Sequence, residues 1–170
     1  MKQILLTLFL SFSLCINAQI QRTFFGLELG KASKQQVEKK MKEKGYEVRN
    51  DFSETLSVYG VTFGDRAWRR VDFEFYDGKF FTISFYRNTK DITGSDNTRE
   101  FFGSISKIFK EKYPEYIVKD EEHKIIFKDE KTNASLISSD NDDFRAKYVV
   151  LVYSDINLVS EKTKAAISEF

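Results

Sequence analysis

Asp72 and Glu74 are the two acidic residues whose spacing could support catalysis. They lie two positions apart in a stretch that alternates apolar and polar residues, so a β-strand would place both carboxyl groups on one face. Two such groups could act as the acid and the base of a glycoside hydrolase. Charged residues that alternate along an exposed strand give the same pattern without catalysis, and that explanation is commoner. A carboxylate-dependent hydrolase is therefore the third of three functional hypotheses, and the chain is predicted not to be an enzyme.

His123 is the only histidine and stands among charged residues at 120–124. A catalytic triad or a zinc site needs further side chains that converge on the imidazole, and the sequence offers no second histidine. We therefore interpret His123 as a surface residue. The segment Asp-Asn-Asp-Asp at residues 140–143 has oxygen ligands suited to calcium, but it lacks the glycine and the distal glutamate of a calcium loop. A polar turn explains it better, so no metal, cofactor or catalytic residue is predicted.

Residues 1–18 have the pattern of a secretory signal peptide that is removed from the mature protein. Lys2 supplies the positive charge, residues 4–14 are mostly apolar, and Ala18 ends a segment suited to cleavage. The apolar run is too short for a membrane span. We expect the mature chain to begin at Gln19 and to be periplasmic or secreted.

Cys15, the only cysteine, lies inside this segment. Lipidation of Cys15 would need a small residue before it, but Leu14 occupies that position, so a lipid anchor is not expected. Cleavage after Ala18 would leave no cysteine in the mature chain, which excludes disulfides and cysteine-based metal sites. Stability must then come from a hydrophobic core.

The composition describes a folded chain with a balanced charge. The chain has 27 basic and 26 acidic side chains, and loss of Lys2 with the signal peptide makes the two numbers equal. This balance argues against a general affinity for nucleic acid or acidic lipid. The 17 phenylalanines, 8 tyrosines and single proline indicate a sizeable core and little disorder. The length fits one domain, or two small repeats that share one core.

A faint internal repeat relates the two halves of the chain at an offset of 68 residues. The segment Met-Lys-Glu-Lys at 41–44 corresponds to Phe-Lys-Glu-Lys at 109–112, and the alternating apolar residues of 81–85 correspond to those of 149–153. A shared helix end and a shared strand pattern predict two copies of one small unit. The predicted units are residues 19–95 and residues 96–170, the second with an additional C-terminal helix.

Three helices are predicted from caps and apolar stripes. The first spans residues 34–44 and begins at a capping box of Ser33 and Gln36. The second follows a capping box at residues 97–100 and carries a long aromatic stripe. The third, at residues 158–168, closes the chain.

Alternation of apolar and polar residues predicts strands between these helices. The predicted strands are residues 54–63, 69–76, 80–86, 116–118, 123–127, 134–138 and 148–153. Helices that alternate with antiparallel meanders favour an α+β two-layer fold, with an antiparallel β-sheet and helices packed on one face. The whole is predicted to consist of two αβββ-type repeats.

The loop between the second and third predicted strands decides which residues of that hairpin share a face. A two-residue loop would set Phe73 opposite Thr82 and mix core and solvent residues. A three-residue loop, residues 76–78, pairs Phe73 with Phe81 and keeps apolar residues together. We favour the three-residue loop.

The segment Gly-Leu-Glu-Leu-Gly at residues 26–30 leads into the first helix, which ends in Lys-Gly-Tyr at 44–46. In this organisation the chain resembles two families of small exported domains: the outer-membrane assembly lipoprotein BamE (SmpA/OmlA) family and the β-lactamase inhibitor protein family. The resemblance covers most of residues 26–154. It implies tandem helix-plus-meander units with a binding or scaffolding role and no catalytic machinery. The chain departs from BamE proteins at the mature start, where they carry a lipidated cysteine, and no functional residue is carried over.

One face of the predicted sheet has the composition of a protein-binding surface. If Val71, Phe73 and Phe75 face the helices, the opposite face carries aromatic, charged and small polar side chains. These are Trp68, Arg70, Asp72, Glu74, Tyr76, Phe80, Thr82, Ser84 and Tyr86. Aromatic residues and arginine are enriched at the centres of protein interfaces. The leading hypothesis is therefore an exported, non-catalytic module that docks a protein or a cell-envelope component on this face.

A pocket between the helices and the sheet is the alternative basis for function. The chain would then bind a small molecule or a lipid, and an internal cavity of several hundred cubic ångströms is expected. A dry, fully packed core would exclude this alternative.

Overall fold

The structure is a computed structural model that describes residues 19–88, 98–139 and 148–168. The predicted signal peptide, Asn97 of the second capping box and the acidic residues 140–143 lie outside the described residues. In chain order the elements are β1 (Thr23–Phe24), β2 (Leu27–Glu28), α1 (Lys34–Glu43), β3 (Glu47–Phe52), β4 (Thr55–Phe63), β5 (Arg66–Tyr76), β6 (Lys79–Asn88), α2 (Thr98–Lys112), a 3-10 turn (Pro114–Tyr116), β7 (Ile117–Glu121), β8 (Lys124–Lys128), β9 (Thr132–Ser139), β10 (Tyr148–Asp155) and α3 (Ile156–Ser168). None of the helices in the described ranges is long and apolar enough to cross a bilayer.

Strands β3 to β10 form one antiparallel sheet in the order β3-β4-β5-β6-β10-β9-β8-β7, and β1 and β2 form a separate hairpin. Strands β6 and β10 pair at the centre, with Ile83 opposite Tyr153 and Phe85 opposite Leu151. The α+β class is confirmed. Four strands follow α1, where the prediction had three. The missed strand is β3, whose sequence is mostly polar because it lies at an edge of the sheet.

Helix α1 begins where its sequence predicts. Ser33 accepts a hydrogen bond from the backbone N–H of Gln36, and the Gln36 side chain accepts one from the backbone N–H of Ser33. These two bonds confirm the predicted capping box. The stripe that follows turns Val37 and Met41 into the core, where both are fully buried.

The inner face of the sheet, defined as the face that carries Phe73, holds the hydrophobic core. The β1–β2 hairpin inserts Phe24, whose ring centroid lies 4.7 Å from that of Tyr153 on the central strand. Helix α2 adds Phe109, whose ring centroid lies 5.5 Å from that of Phe127. The core therefore joins residues from both halves of the chain.

Helix α3 lies against the opposite, outer face, so the helices are not all packed on one face as predicted. The Nζ atom of Lys162 lies 2.9 Å from Glu54 Oε2 and 5.0 Å from the ring centroid of Phe81. Phe81 in turn contacts Tyr76, which strand alternation places on the outer side of β5. Helix α3 buries Leu158 and covers one end of the outer face.

Asp155 sets the start of α3. One carboxylate oxygen accepts hydrogen bonds from the backbone N–H groups of Asn157 and Leu158, so the helix begins at Ile156, before the predicted start. The other carboxylate oxygen pairs with Arg22 near the beginning of the described chain. This cap ends the central strand and turns the chain toward the outer face.

The turn between β5 and β6 contains two residues, Asp77 and Gly78, with φ of 48° and 69°. Tyr76 pairs directly with Lys79 across it. Two left-handed residues form the turn that best matches the twist of a two-residue hairpin. The predicted three-residue loop is therefore wrong.

A β-bulge in β6 restores the register beyond this turn. Phe75 pairs with Phe80, but Glu74 pairs with Thr82, so Phe81 has no residue opposite it. One inserted residue shifts the alternation of one strand against the other. The apolar residues of both strands therefore meet on the inner face without a longer loop, which sequence reasoning had required.

A second irregularity reverses the alternation of β4 and β5. Val58 and Val61 are both buried although they are three residues apart, and the same holds for Trp68 and Val71 on β5. Gly60 lies between the two β4 residues with φ of 66°. This conformation suits glycine. β4 and β5 stay in register past Gly60, with Tyr59 opposite Arg70 and Val61 opposite Trp68, so no residue is inserted there. The reversed alternation places the Trp68 side chain on the core side.

Candidate functional site

Five side chains from five neighbouring strands form a row across the outer face, here called the outer row. In order they are Tyr59 on β4, Arg70 on β5, Tyr86 on β6, Val150 on β10 and Ile137 on β9, each paired with the next across the ladder. All five are partly exposed. The outer row therefore combines strands from both halves of the chain in one continuous surface.

Arginines stack on the tyrosines of the outer row. The guanidinium carbon of Arg49 lies 4.7 Å from the ring centroid of Tyr59, and that of Arg70 lies 4.5 Å from the ring centroid of Tyr86. Each such contact contributes about 0.5–1 kcal/mol at exposed sites. Each of these guanidinium groups also pairs with a carboxylate of the chain, Arg49 with Glu47 and Arg70 with Asp72. Stacking and pairing together hold the two planar groups in fixed orientations.

Arg70 is held between the Tyr86 ring and the Asp72 carboxylate. Its Nη2 atom lies 3.0 Å from Asp72 Oδ2. Burial lowers the pKa of Arg70, but the nearby Asp72 and Tyr86 outweigh burial and raise the pKa above its usual value. The buried Nε atom has no hydrogen-bond acceptor in the part of the chain that the structure describes. An unsatisfied buried donor destabilises the protein unless a ligand supplies the acceptor.

A groove of about 740 Å³ runs along this part of the face and is here called the outer groove. Its lining residues are Arg49, Tyr59, Arg69, Arg70, Tyr86, Arg87, Asn88, Ile137, Tyr148 and Val150. Four are arginines and three are tyrosines, and none of the described residues that line it is acidic. The outer groove is therefore cationic and aromatic, although the chain as a whole is nearly neutral.

Arg70 and Tyr86 are the two predicted site residues that line the outer groove. Asp72 and Ser84 lie on the same face beside them, pair with each other across the ladder and are almost fully buried. Asp72 holds Arg70 in place. These two buried residues therefore support the groove and do not form its wall.

Glu74, Tyr76 and Thr82 lie at the other end of the outer face, near α3. Thr82 donates a hydrogen bond to Ser154. None of the three predicted residues lines the outer groove. Their position indicates that α3 covers this end of the outer face.

Asp72 and Glu74, the acid pair of the hydrolase hypothesis, lie in different environments. Burial raises the pKa of Glu74, while Lys162 opposes this shift and Asp72 adds to it. A raised carboxyl pKa is one property that the hydrolase hypothesis requires. Asp72 itself is held by Arg70, and neither carboxyl group lines the outer groove.

Trp68 and Phe80 were predicted on the outer face, and both lie in the core instead. Trp68 is 2% exposed, and its ring centroid lies 5.4 Å from those of Phe85 and Phe101. Phe80 is fully buried, with its ring centroid 5.3 Å from that of Phe73. The reversed alternation of β5 accounts for the first error and the bulge in β6 for the second.

Most of the outer groove was missed by sequence reasoning. The missed residues are Arg49, Tyr59, Arg69, Arg87, Asn88, Ile137, Tyr148 and Val150. They come from β3, β4, β5, β6, β9 and β10, so both halves of the chain contribute. The pairing of β6 with β10, which brings these strands into one sheet, follows from no local pattern. The one local signal was the alternation of β4, which puts Ser57 and Tyr59 on the same side as Arg70.

A second cavity of about 300 Å³ lies on the inner side, between α2 and the sheet, and is here called the α2 pocket. Its lining residues are Gln21, Phe63, Gly64, Arg66, Trp68, Ile105, Ile108, Phe109, Lys112, Tyr113, Leu151 and Tyr153. Burial raises the pKa of Tyr153 well above its usual value, which keeps the phenol neutral. The α2 pocket lies where the small-molecule hypothesis expects a cavity.

His123 lies at the surface with its side chain 47% exposed. Its Nδ1 atom is 3.3 Å from Ser138 Oγ, and its Nε2 atom is 3.8 Å from Glu122 Oε1. Within residues 19–88, 98–139 and 148–168, no three His, Cys, Asp or Glu side chains are grouped to hold a metal ion.

Comparisons with models of protein families, with curated proteins and with solved structures find no match to the chain. The resemblance to the BamE and β-lactamase inhibitor protein families therefore stays a prediction.

Proposed function

We propose that the chain is an exported, non-catalytic binding module whose outer groove docks an acidic segment of a partner protein. The observation that carries this proposal is the lining of the outer groove, with four arginines, three tyrosines and no acidic residue among the described ones. Arginine and tyrosine are the residues that most often dominate the binding energy of protein interfaces. Arginine also binds carboxylates through two parallel hydrogen bonds.

A protein segment fits the outer groove better than a purely charged ligand does. Val150 and Ile137 continue the outer row as partly exposed apolar side chains. A partner complementary to this surface would present negative charge to the arginine-rich part of the lining and an aromatic or aliphatic side chain to this apolar end. A mixed cationic and apolar lining of this kind is typical of an interface core with a polar rim.

The charge of the outer groove gives the proposed interaction a kinetic signature. Positive charge around a docking site accelerates the encounter with an acidic partner, and added salt screens this attraction. Arg69 is exposed at the rim, whereas Arg70 is held at the centre by Asp72 and Tyr86. We therefore expect substitution of Arg69 to act mainly on the association rate and its salt dependence.

We also propose that the two halves of the chain are repeats of one unit, which doubles the width of the docking face. Two features support this. Among the described residues, a helix precedes four strands in each half, and the last strands of the two halves pair at the centre of the sheet. There Ile83 and Phe85 of the 68-residue echo pair with Tyr153 and Leu151, which also belong to it. Export rests on the pattern of residues 1–18.

A labelled peptide of alternating glutamate and tyrosine tests the docking proposal with a defined probe. We expect saturable binding by fluorescence anisotropy that weakens with added salt. Arg69→Glu should weaken it by roughly fivefold or more, because it reverses a charge at the rim. Arg99→Glu, an equally drastic change at an exposed arginine of α2 outside the groove, is the matched control and should leave binding unchanged.

The same peptide with lysine in place of glutamate distinguishes recognition of negative charge from nonspecific binding. Equal binding of the lysine peptide, or an Arg69→Glu protein that binds the glutamate peptide as well as the native chain does, would contradict the proposal.

A further inference from the structure

The α2 pocket is an apolar cavity on the side of the sheet opposite the outer groove. Its walls are formed by Phe63 and Trp68 from the sheet, Leu151 from the central strand, and Ile105 and Phe109 from α2. Its volume of about 300 Å³ lies at the lower end of the range for small-molecule sites. A cavity of this size and lining suits one flexible hydrocarbon chain of medium length.

Two cations stand among these apolar walls. Arg66 lies with its guanidinium carbon 5.9 Å from the ring centroid of Phe101, and Lys112 lies with Nζ 5.1 Å from the ring centroid of Tyr113. Neither cation has a carboxylate partner among the residues that the structure describes. No described residue that lines the pocket is acidic.

Ile108 is an apolar side chain exposed at the same cavity. It is 49% exposed although it belongs to α2, whose other large apolar side chains face the core. A single exposed isoleucine is unremarkable on a protein surface. Here it extends the apolar lining toward solvent beside Lys112, four residues further along the same face of the helix.

We propose that the α2 pocket binds an amphipathic monocarboxylate, with its hydrocarbon tail in the cavity and its carboxylate at Lys112 beside the exposed Ile108, while Arg66 adds positive charge near the other end of α2. Burial of the tail supplies the affinity, because each methylene group removed from water contributes about 0.8 kcal/mol. The two cations supply the selectivity for an anionic head group. The pocket and the outer groove share no lining residue, so this proposal stands independently of the docking proposal.

Trp68 allows binding to be measured directly, because it is the only tryptophan of the chain and lines the pocket. The probe is dodecanoate brominated on its tail, since bromine quenches tryptophan fluorescence at contact. We expect saturable quenching at concentrations below those at which the probe forms micelles. Unbrominated dodecanoate should reverse the quenching by competition, and dodecanol should compete much less well because it lacks the charge.

Substitutions at the pocket opening test the two parts of the site. Lys112→Gln should weaken binding roughly threefold to tenfold, because it removes the charged contact with the carboxylate. Arg66→Gln should weaken binding less, because Arg66 acts only from a distance. Lys107→Gln, on an exposed position of the same helix outside the pocket, is the matched control and should bind as the native chain does. Ile108→Glu should abolish binding, whereas Ile167→Glu, at an exposed isoleucine of α3, should not.

Four outcomes would overturn the proposal. They are no saturable quenching, equal competition by dodecanol, equal binding by Lys112→Gln and Lys107→Gln, and quenching by vesicles of brominated phosphatidylcholine but not by the acid itself. Circular dichroism of each variant confirms that it is folded before its affinity is compared.

Discussion

Arg22 and Asp155 form an ion pair that ties the beginning of the described chain to the end of the central strand. Arg22 also donates hydrogen bonds to the backbone carbonyls of Leu29 and Lys131. Asp155 caps α3 with its second oxygen. One partly buried pair thus joins the first hairpin, the central strand and the last helix.

Gly30 is the residue that lets this ion pair form. Its φ is 86°, and a Cβ atom there would lie 2.7 Å from Asp155 Oδ2 and 3.2 Å from Arg22 Nη2. Gly30→Ala should therefore destabilise the protein by about 3 kcal/mol, from backbone strain and displacement of a buried charge. Urea denaturation of a protein spanning residues 19–170 measures this loss.

Gly45→Ala separates the two causes. Gly45 has a similar φ of 79°, but an added Cβ meets nothing within 4 Å. The free energy of unfolding of Gly45→Ala should fall by only about 1 kcal/mol, because this substitution adds backbone strain and no close contact. Equal losses for the two variants would mean that the contact with Asp155 contributes nothing.

At the scale of elements, α3 determines the environment of one end of the outer face. Glu74 lies there, and burial raises its pKa against the opposing charge of Lys162. The folded state therefore binds a proton at Glu74 more tightly than the unfolded state does. Because of this, stability contributed at Glu74 is present at low pH and is lost as the pH rises from the unfolded value near 4.5 through the raised folded value.

Glu74→Gln should remove the loss of stability that accompanies ionisation of Glu74 as the pH rises. We expect the variant to be more stable than the native chain at neutral pH, and its free energy of unfolding to fall less between pH 4 and pH 8. Glu161→Gln, at an exposed carboxyl of α3, should follow the native profile. Urea denaturation across this range gives the comparison, and a Glu74→Gln profile parallel to the native one would contradict the assignment.

Elements with a strong local signal were predictable from the sequence. The capping box of Ser33 and Gln36 and the aromatic stripe of α2 depend on residues within one or two turns, and both helices form where expected. The sequence did not reveal which side chains the irregularities of the strands would turn into the core. The inserted Phe81 shifts the alternation of β6, and the left-handed Gly60 accompanies the reversed alternation of β4 and β5. These two irregularities account for the burial of Phe80 and Trp68 in the core.

At the scale of the whole molecule, the outer groove exists because two meanders meet edge to edge. Arg70 and Tyr86 come from the first half, and Ile137, Tyr148 and Val150 come from the second. Sequence reasoning found none of the second group, because the pairing of β6 with β10 joins strands that lie far apart in the sequence. The first half of the sequence therefore indicated where an exposed sheet face would lie. Most of the residues that line it could be identified only in the assembled sheet.

The central claim is that an acidic protein segment docks in the outer groove. Site-specific photo-cross-linking in the native envelope tests it most directly, with benzoylphenylalanine in place of Tyr148, which is 40% exposed in the groove. The matched control carries the same group in place of Val118, which is 60% exposed on edge strand β7.

We predict a cross-linked partner from position 148 whose attached peptide is rich in aspartate or glutamate, and loss of that product when Arg69→Glu is added. Cross-linking of the same partner from position 118, an attached peptide without acidic residues, or a product that survives Arg69→Glu would contradict the account.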